Sequence, residues 1–147
     1  MRAVLGIDVA WTLRRAAPVA DQSWEVALLL TEIYADEQGE THFRKIEINF
    51  EIREFAPPSM PVNVSPEVPT TTCCFMIAPP GWDKDYHPTP RKQLCVMLEG
   101  KLTVTATDGD TFEMGRGGVL LVNDATSKGH LSQIQGDEDA SFLFVGL

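Results

Sequence analysis

Apolar and polar residues alternate along much of this chain with the two-residue period of a β-strand. The clearest case is residues 46–53, where isoleucine and phenylalanine alternate with charged and polar residues. This period places one side of a strand against a core and the other toward water. An apolar, β-prone run at 26–34 and a polar turn at 36–40 precede it. The pattern therefore predicts a β-hairpin.

The second half of the chain predicts a series of short strands separated by glycine-containing turns such as Glu99-Gly100 and Asp108-Gly109. The apolar stretches that predict these strands are 94–98, 102–106, 112–114, 119–122, 130–134 and 142–145. Strands at this regular spacing, with almost no helical period, favour a closed barrel or a sandwich. The predicted fold class is therefore all-β.

Three other segments interrupt or precede this pattern. Residues 56–69 contain five prolines, which fix the backbone and lack amide donors, so they predict an ordered surface connection without a strand. Residues 70–78 are β-branched, aromatic and apolar and predict a buried strand. Residues 4–12 predict a short strand, after which periodicity is lost. We therefore predict an N-terminal arm at 1–22 and a barrel at 23–147.

Composition excludes several classes of protein. The chain has 147 residues, enough for one domain, and its net charge of −9 without a basic cluster argues against nucleic acid or a membrane surface as partner. No apolar run is long enough to span a bilayer, and Asp8 and the Arg14-Arg15 pair interrupt any signal-peptide core. Three cysteines, two of them adjacent, make a poor disulfide framework. These features predict a cytosolic protein.

Residues 81–130 carry spacings that resemble those of a known family. The first motif of the cupin superfamily is matched in spacing by Gly81, His87, Thr89, Gln93 and Gly100. The ends of the second cupin motif are similar to Gly117 and His130. More closely, the segments 90–93, 98–100 and 123–130 resemble small single-domain cupins of bacteria and fungi, whose function is mostly unassigned. The resemblance covers roughly residues 30–147.

This resemblance implies a double-stranded β-helix, or jelly-roll, barrel that is usually dimeric and has an interior site at one mouth. In metal-binding cupins the motif positions supply three histidines and one glutamate to iron, manganese, nickel or zinc. Here His87 and His130 are kept, Gln93 stands where glutamate is usual, and Thr89 replaces the expected second histidine. The implied metal ligands are therefore His87, Gln93 and His130, and Thr89 is not a credible substitute.

The departures from the motif change the expected chemistry. Two neutral imidazoles and a neutral amide offset none of the charge of a divalent ion, and an amide oxygen is a weaker donor than a carboxylate. The site either binds a divalent metal (Zn, Fe, Mn or Ni) weakly, takes a carboxylate from its substrate, or is empty. A bound metal with open positions favours Lewis-acid catalysis. Dioxygenase chemistry is less favoured, because its facial triad includes a carboxylate.

Two basic residues are further candidates for the site. Arg91 shares a strand face with Gln93, where it can bind a carboxylate or phosphate bidentately, or it is a solvated charge at the strand end. Lys128 lies in the loop before His130. It either acts as a general acid, a general base or an anion-binding residue, or it is a solvated lysine paired with Asp124.

Two aromatic residues and one further histidine are also considered for the site. Trp82 and Tyr86 either wall the mouth of the barrel or contribute packing. His42 follows a turn at the start of a strand. We expect it to be a surface or interface residue outside the site.

Two classes of function follow from these expectations. The first is a non-redox enzyme of the isomerase, lyase or hydrolase type that acts on a small polar or acidic metabolite. Its catalytic residues would be His87, Gln93 and His130, with Arg91 or Lys128 neutralising anionic charge. The second is a non-catalytic small-molecule binding or sensory barrel, favoured by the missing histidine and glutamate. The expected partners are a small-molecule ligand and a second copy of the chain in a homodimer.

Overall fold

The computed structural model describes residues 11–15 and 26–147, and this part of the chain consists of β-strands and connections without a helix. The strands are β1 Trp11–Arg15, β2 Val26–Ala35, β3 Thr41–Asn49, β4 Glu51–Arg53, β5 Val62–Val64, β6 Thr72–Ala78, β7 Gln93–Glu99, β8 Lys101–Thr105, β9 Thr111–Gly115, β10 Val119–Asn123, β11 Leu131–Ile134 and β12 Ala140–Gly146.

The strands form two principal sheets. The large sheet has the order β1-β2-β10-β7-β12-β6, with β3 also paired to β2, and the small sheet has the order β11-β8-β9. The chain passes repeatedly between them: β7, β10 and β12 lie in the large sheet, and β8, β9 and β11 lie in the small one. Such crossing is typical of a jelly roll. The sheets do not close into one hydrogen-bonded barrel, so the sandwich is the arrangement observed.

A single apolar core joins the two sheets, because alternate residues of each strand point inward. In β7 the inward residues Cys95 and Met97 are buried, whereas the alternate residues Leu94 and Val96 are only partly buried. The core residues of both sheets are Ile33, Ala78, Cys95, Met97, Leu102, Val104, Ala106, Met114, Leu120, Val122, Ile134, Ala140 and Phe142. Six of these residues also line the cavity described below: Cys95, Leu102, Val104, Leu120, Val122 and Phe142.

Three local predictions were inexact. The segment 46–53 is divided between β3 and β4, and the proline-rich connection contains the short strand β5, which pairs with β4. The strand β6 was predicted to be buried, but it is the edge of the large sheet and exposes Phe75 and Ile77. Its apolar run reflects two apolar faces, of which only the inner one reaches the core.

The N-terminal prediction is addressed only in part. β1 pairs antiparallel with β2 along its whole length, from Trp11 opposite Leu30 to Arg15 opposite Val26. Residues 1–10 and 16–25, including most of the strand predicted at 4–12, lie outside the described part of the chain, so the arm stays a prediction. In the segments that are described, no helix has the length and apolar character needed to cross a bilayer.

Candidate functional site

A cavity of about 530 Å3 lies between the two sheets. Its exposed lining residues, which mark the mouth, are Thr72, Cys73, Cys74, Trp82, Pro90 and Arg91. Its polar lining consists of Thr72, His87, Thr89, Gln93, His130 and Ser132. The rest of the wall is mainly apolar and includes Met76, Leu102, Val104, Leu120, Val122, Phe142 and Phe144. An enclosed apolar space with a few polar groups is the usual form of a small-molecule site.

The two cavity histidines are joined through their backbones. His87 and His130 form an isolated antiparallel bridge, in which each amide donates to the carbonyl of the other at 3.1 and 3.0 Å. The centroids of their imidazole rings lie 5.1 Å apart. The connection before β7 and the loop before β11 therefore deliver both predicted histidines to one place, as the motif spacing implied.

A buried carboxylate orients His130. Asp124 has no solvent exposure, and its Oδ2 lies 2.7 Å from Nδ1 of His130. The same carboxylate accepts a hydrogen bond from the backbone amide of Thr89 at 3.1 Å, and the Ser127 hydroxyl donates to the backbone carbonyl of Asp124 at 2.7 Å. These contacts fix both the carboxylate and the plane of the imidazole.

A second carboxylate, that of Asp83, lies beside His87, whereas the hydrogen-bond partner of His87 Nδ1 is the backbone carbonyl of Asp85 at 3.4 Å. The Asp83 side chain is 5% exposed, and its Oδ1 lies 3.2 Å from Nδ1 of His87. Its Oδ2 accepts a hydrogen bond from the backbone amide of Ser132 at 2.7 Å, which ties the Asp83 loop to β11. The edge of the Trp82 ring packs on His87 with centroids 5.8 Å apart.

The partners of the two Nδ1 atoms determine which imidazole nitrogen is available to a ligand. Nδ1 of His130 faces the Asp124 carboxylate and Nδ1 of His87 faces the Asp85 carbonyl, and because these oxygens accept hydrogen bonds, each Nδ1 carries the proton. The Nε2 atoms then keep their lone pairs, and they have no hydrogen-bond partner among the described residues. A histidine held by a carboxylate in this manner is the form that ligates metals or accepts a proton.

Gln93 and Thr89 hydrogen-bond to each other instead of forming two more ligand positions. The hydroxyl of Thr89 donates its one hydrogen to the carbonyl of Arg91 at 2.9 Å. It must therefore accept from the Gln93 amide nitrogen, which lies 3.0 Å away. Gln93 is consequently oriented with its Oε1 free of protein partners within the described chain, while Thr89 is committed to the backbone.

Arg91 lines the mouth of the cavity, where one guanidinium nitrogen donates to the hydroxyl of Thr72 at 2.9 Å. Trp82 also lines the cavity, whereas the exposed Tyr86 does not. Cys95 lies in the wall, and burial raises the pKa of its thiol to about 12, so it is an uncharged packing group.

Lys128 is not brought to this site. Its ammonium group pairs with the carboxylate of Glu40, and it does not line the cavity. The alternative pairing with Asp124 is wrong as well, because Asp124 is buried against His130. The loop that carries Lys128 is instead joined to the turn between β2 and β3, where the Lys128 amide donates to the carbonyl of Gly39 at 2.9 Å.

His42 lies outside the cavity, as predicted. It bridges two turns, with Nε2 2.8 Å from Asp36 and Nδ1 2.6 Å from Asp108. The hydrogen bonds to Asp36 and then Asp108 raise the pKa of His42 above its usual range. Both ring nitrogens are occupied, so His42 serves as a link between surface turns.

Sequence reasoning missed the two residues that organise the site, Asp83 and Asp124. Asp83 is four positions before His87 in an irregular segment, and Asp124 is six positions before His130. The one available signal was that each cavity histidine follows an aspartate at short range. In a loop the direction of a side chain follows no regular period. The signal therefore does not show which way the aspartates point.

Two facing sheets with this strand order, with a polar site between them, form a jelly roll, and the predicted all-β jelly-roll fold is confirmed. No protein-family model and no curated protein sequence matches the chain.

Two solved structures are similar to the chain. A Salmonella typhimurium protein assigned to ethanolamine utilization (EutQ) is 18% identical, with a TM-score of 0.35 over 80% of this chain and 93% of that one. The cupin domain of Schizosaccharomyces pombe Cnp3 is 18% identical, with a TM-score of 0.40 over 81% of each chain. At these values neither likeness adds to what the strand order and the site geometry establish.

Proposed function

We propose that this chain binds a small polar or acidic metabolite in the cavity between its sheets and acts on it by non-redox chemistry assisted by a divalent metal. The observation that carries the proposal is the pair His87 and His130, each backed by a buried carboxylate and each with Nε2 free of protein partners in the described chain. Packing alone does not require two such pairs beside an enclosed cavity.

The donor set fits a weak metal site with open positions. His87 and His130 offer two nitrogen donors, and Gln93 offers an amide oxygen. Within the described residues, no group of three or more histidine, cysteine or acidic side chains is arranged to hold a metal ion. The negative charge that the motif positions lack is available behind the imidazole rings, on Asp83 and Asp124. Such outer carboxylates raise the basicity of ligating imidazoles.

The reaction classes follow from this chemistry. A bound divalent ion would polarise a carbonyl or similar oxygen of the substrate as a Lewis acid. The protein contributes the orientation of both imidazoles through Asp83 and Asp124, and the apolar wall excludes water from the substrate. Isomerisation, elimination and hydrolysis are compatible with these contributions.

Non-catalytic binding is the second candidate, and Thr89 favours it. The hydroxyl of Thr89 is hydrogen-bonded to the backbone of Arg91 and to Gln93, so the position of the motif's second histidine offers no ligand to a metal. In this alternative the same polar groups bind a ligand oxygen directly, and the chain acts as a binding or sensory protein.

Elemental analysis and metal titration distinguish the two candidates. We expect protein purified without chelator, or titrated with Zn2+, Mn2+, Ni2+ or Fe2+, to bind one ion per chain. His87→Ala and His130→Ala should each lower this affinity at least about tenfold. His42→Ala is the matched control, because His42 lies outside the cavity, and it should bind metal like the unmodified chain. Absence of binding with all four ions would eliminate the metal-assisted form and leave the binding protein.

We also propose that the chain forms a homodimer. Because Met76 and Ala78 point into the core, the alternate residues Phe75 and Ile77 of β6 lie on the outer face of the large sheet, where they are 75% and 72% exposed. A second apolar surface lies on the hairpin β4–β5 and the residues that follow it. Its exposed members are Ile52, Phe55, Met60, Val62 and Val68.

These two surfaces suit each other across a two-fold axis. β4 and β5 pair only with each other among the described strands, and an isolated hairpin is marginally stable in water. If the β4–β5 hairpin of each copy covers the β6 face of the other copy, one symmetric contact buries both surfaces on both chains. Their combined apolar area is of the order of the ~800 Å2 that each partner contributes to a standard interface.

Sedimentation at micromolar concentration tests the homodimer. We expect a species of twice the 16.2 kDa chain mass, and the double variant Phe75→Ser and Ile77→Ser should sediment as a monomer. Tyr86→Ser, which changes an exposed aromatic residue on another surface, should remain dimeric. A monomer for the unmodified chain would refute the proposal.

A further inference from the structure

The cavity wall changes from polar to apolar in successive rows across the large sheet. Residues directly opposite one another on paired strands share a face. The row nearest the mouth, read across β6, β12, β7 and β10, is Thr72, Gly146, Gln93 and Val122. The next row toward the core is Cys74, Phe144, Cys95 and Leu120. The first row therefore carries the polar groups of Thr72 and Gln93, and the second row is apolar from the exposed Cys74 to the buried Cys95 and Leu120.

Arg91 supplies positive charge at the polar end. It is the one lysine or arginine in the cavity lining, and no carboxylate of the described residues lies within ion-pair distance of it. Its bond to the hydroxyl of Thr72 occupies one Nη1–H. The other guanidinium N–H groups remain available, and two parallel ones match a carboxylate.

Gly146 makes room for this arrangement. A β-carbon at position 146 would lie 2.2 Å from the hydroxyl oxygen of Thr72 and 3.1 Å from Cδ of Arg91. The space that a side chain would fill at this position in the first row is therefore taken by the contact between Thr72 and Arg91. Glycine at position 146 and threonine at position 72 together hold the arginine at the rim.

The distribution of charge orients an anionic ligand. Asp83 and Asp124 place negative charge behind the imidazoles of His87 and His130. A carboxylate is repelled from that side and attracted to Arg91. The apolar second row then receives the uncharged part of the same molecule.

We propose that the ligand is a small amphipathic acid, with its carboxylate bound by Arg91 and its apolar body against Cys74, Phe144, Cys95 and Leu120. Thr72 and Gly146 are positioning residues that hold the Arg91 guanidinium across the mouth. The inference rests on the proposed function, in that it takes the cavity to be the ligand site.

Titration calorimetry with simple probes tests this inference on the whole chain. Hexanoate carries both features, hexan-1-ol lacks the charge, and succinate lacks the apolar body. We expect hexanoate to bind at least about tenfold more tightly than either of the others. Arg91→Met should remove this preference by weakening hexanoate about tenfold or more while leaving hexan-1-ol unchanged.

The positioning residues and a control sharpen the test. Thr72→Val keeps the shape of the side chain and removes the acceptor for Arg91, and Gly146→Ala displaces Thr72. Both should weaken hexanoate severalfold and leave hexan-1-ol unchanged, which a general loss of structure would not do. Lys92→Met removes the neighbouring cation on the opposite strand face and should bind both probes like the unmodified chain.

Several outcomes would overturn the inference. Equal binding of hexanoate and hexan-1-ol, no binding of hexanoate, or hexanoate binding that survives Arg91→Met would each contradict it. The metal titration of the proposed function is read separately. If the chain binds no metal but loses hexanoate binding in Arg91→Met, the amphipathic acid is retained as the ligand. Only the metal-assisted reaction is then rejected.

Discussion

Gly129→Ala is expected to destabilise the chain more than any other alanine substitution at a turn glycine. Gly129 has a φ of +94°, and a β-carbon there would lie 2.2 Å from the carbonyl carbon of His87, 2.5 Å from its oxygen and 2.6 Å from the nitrogen of Pro88. All three are backbone atoms, so no side-chain rotation relieves the overlap. The backbone around His87 must move away from position 129.

That movement breaks the bridge between the two cavity histidines. His87 and His130 exchange two backbone hydrogen bonds, each worth ~0.5–1.5 kcal/mol. Overpacking of a tight contact adds ~1–3 kcal/mol. The free energy of unfolding measured in urea should therefore fall by about 3 kcal/mol beyond the cost of the backbone conformation itself.

Gly109→Ala isolates that conformational cost. Gly109 also has a φ of +94°, but a β-carbon there meets nothing within 4 Å. It should lose only the ~1–2 kcal/mol of a non-glycine residue in left-handed conformation. Equal stability of the two variants would show that the backbone at His87 can yield, and that the bridge does not fix the geometry of the site.

The fold could be predicted because its determinants are local. Alternation in β2, β3 and β7 and the glycine turns near Gly100 and Gly109 are readable within a few residues. The short strand β5 was missed because prolines surround it, and its pairing with β4 depends on a contact that sequence periodicity does not record. The exposure of β6 was missed because an apolar run does not say whether one face or both are covered.

The candidate site was predictable only where motif spacing specifies it. Spacing indicated His87, Gln93 and His130, which all line the cavity. It gave no direction for Lys128, whose partner Glu40 is 88 residues away in sequence. It also led us to conclude that the site lacks negative charge, because the charge lies on Asp83 and Asp124 in loops, behind the positions that the motif specifies.

Asp124→Asn is expected to change the protonated nitrogen of His130. Oδ1 of Asp124 accepts from the amide of Thr89, and Oδ2 accepts from Nδ1 of His130. An asparagine that keeps its oxygen toward Thr89 turns its amide group toward His130. Nδ1 must then accept a hydrogen bond, and the proton moves to Nε2, as an amide in place of a triad aspartate also forces elsewhere.

The opposite orientation of the asparagine is no better, because its amide hydrogens would face the amide of Thr89. In that orientation the buried amide of Thr89 loses its acceptor, at ~1–3 kcal/mol of stability. Under the proposed function the Nε2 lone pair is lost to the cavity, and metal affinity should fall about 10–100-fold. Asp124 is thus a positioning residue whose effect is visible without a ligand.

Imidazole nitrogen NMR of 15N-labelled protein measures this effect directly. We expect His130 to carry its proton on Nδ1 in the unmodified chain and on Nε2 in Asp124→Asn. Asp83→Asn is the matched control, because it replaces the carboxylate beside His87 and should leave the proton of His130 on Nδ1. If His130 keeps its Nδ1 proton in Asp124→Asn, the carboxylate does not set the tautomer, and the case for an oriented pair of imidazoles at the cavity fails.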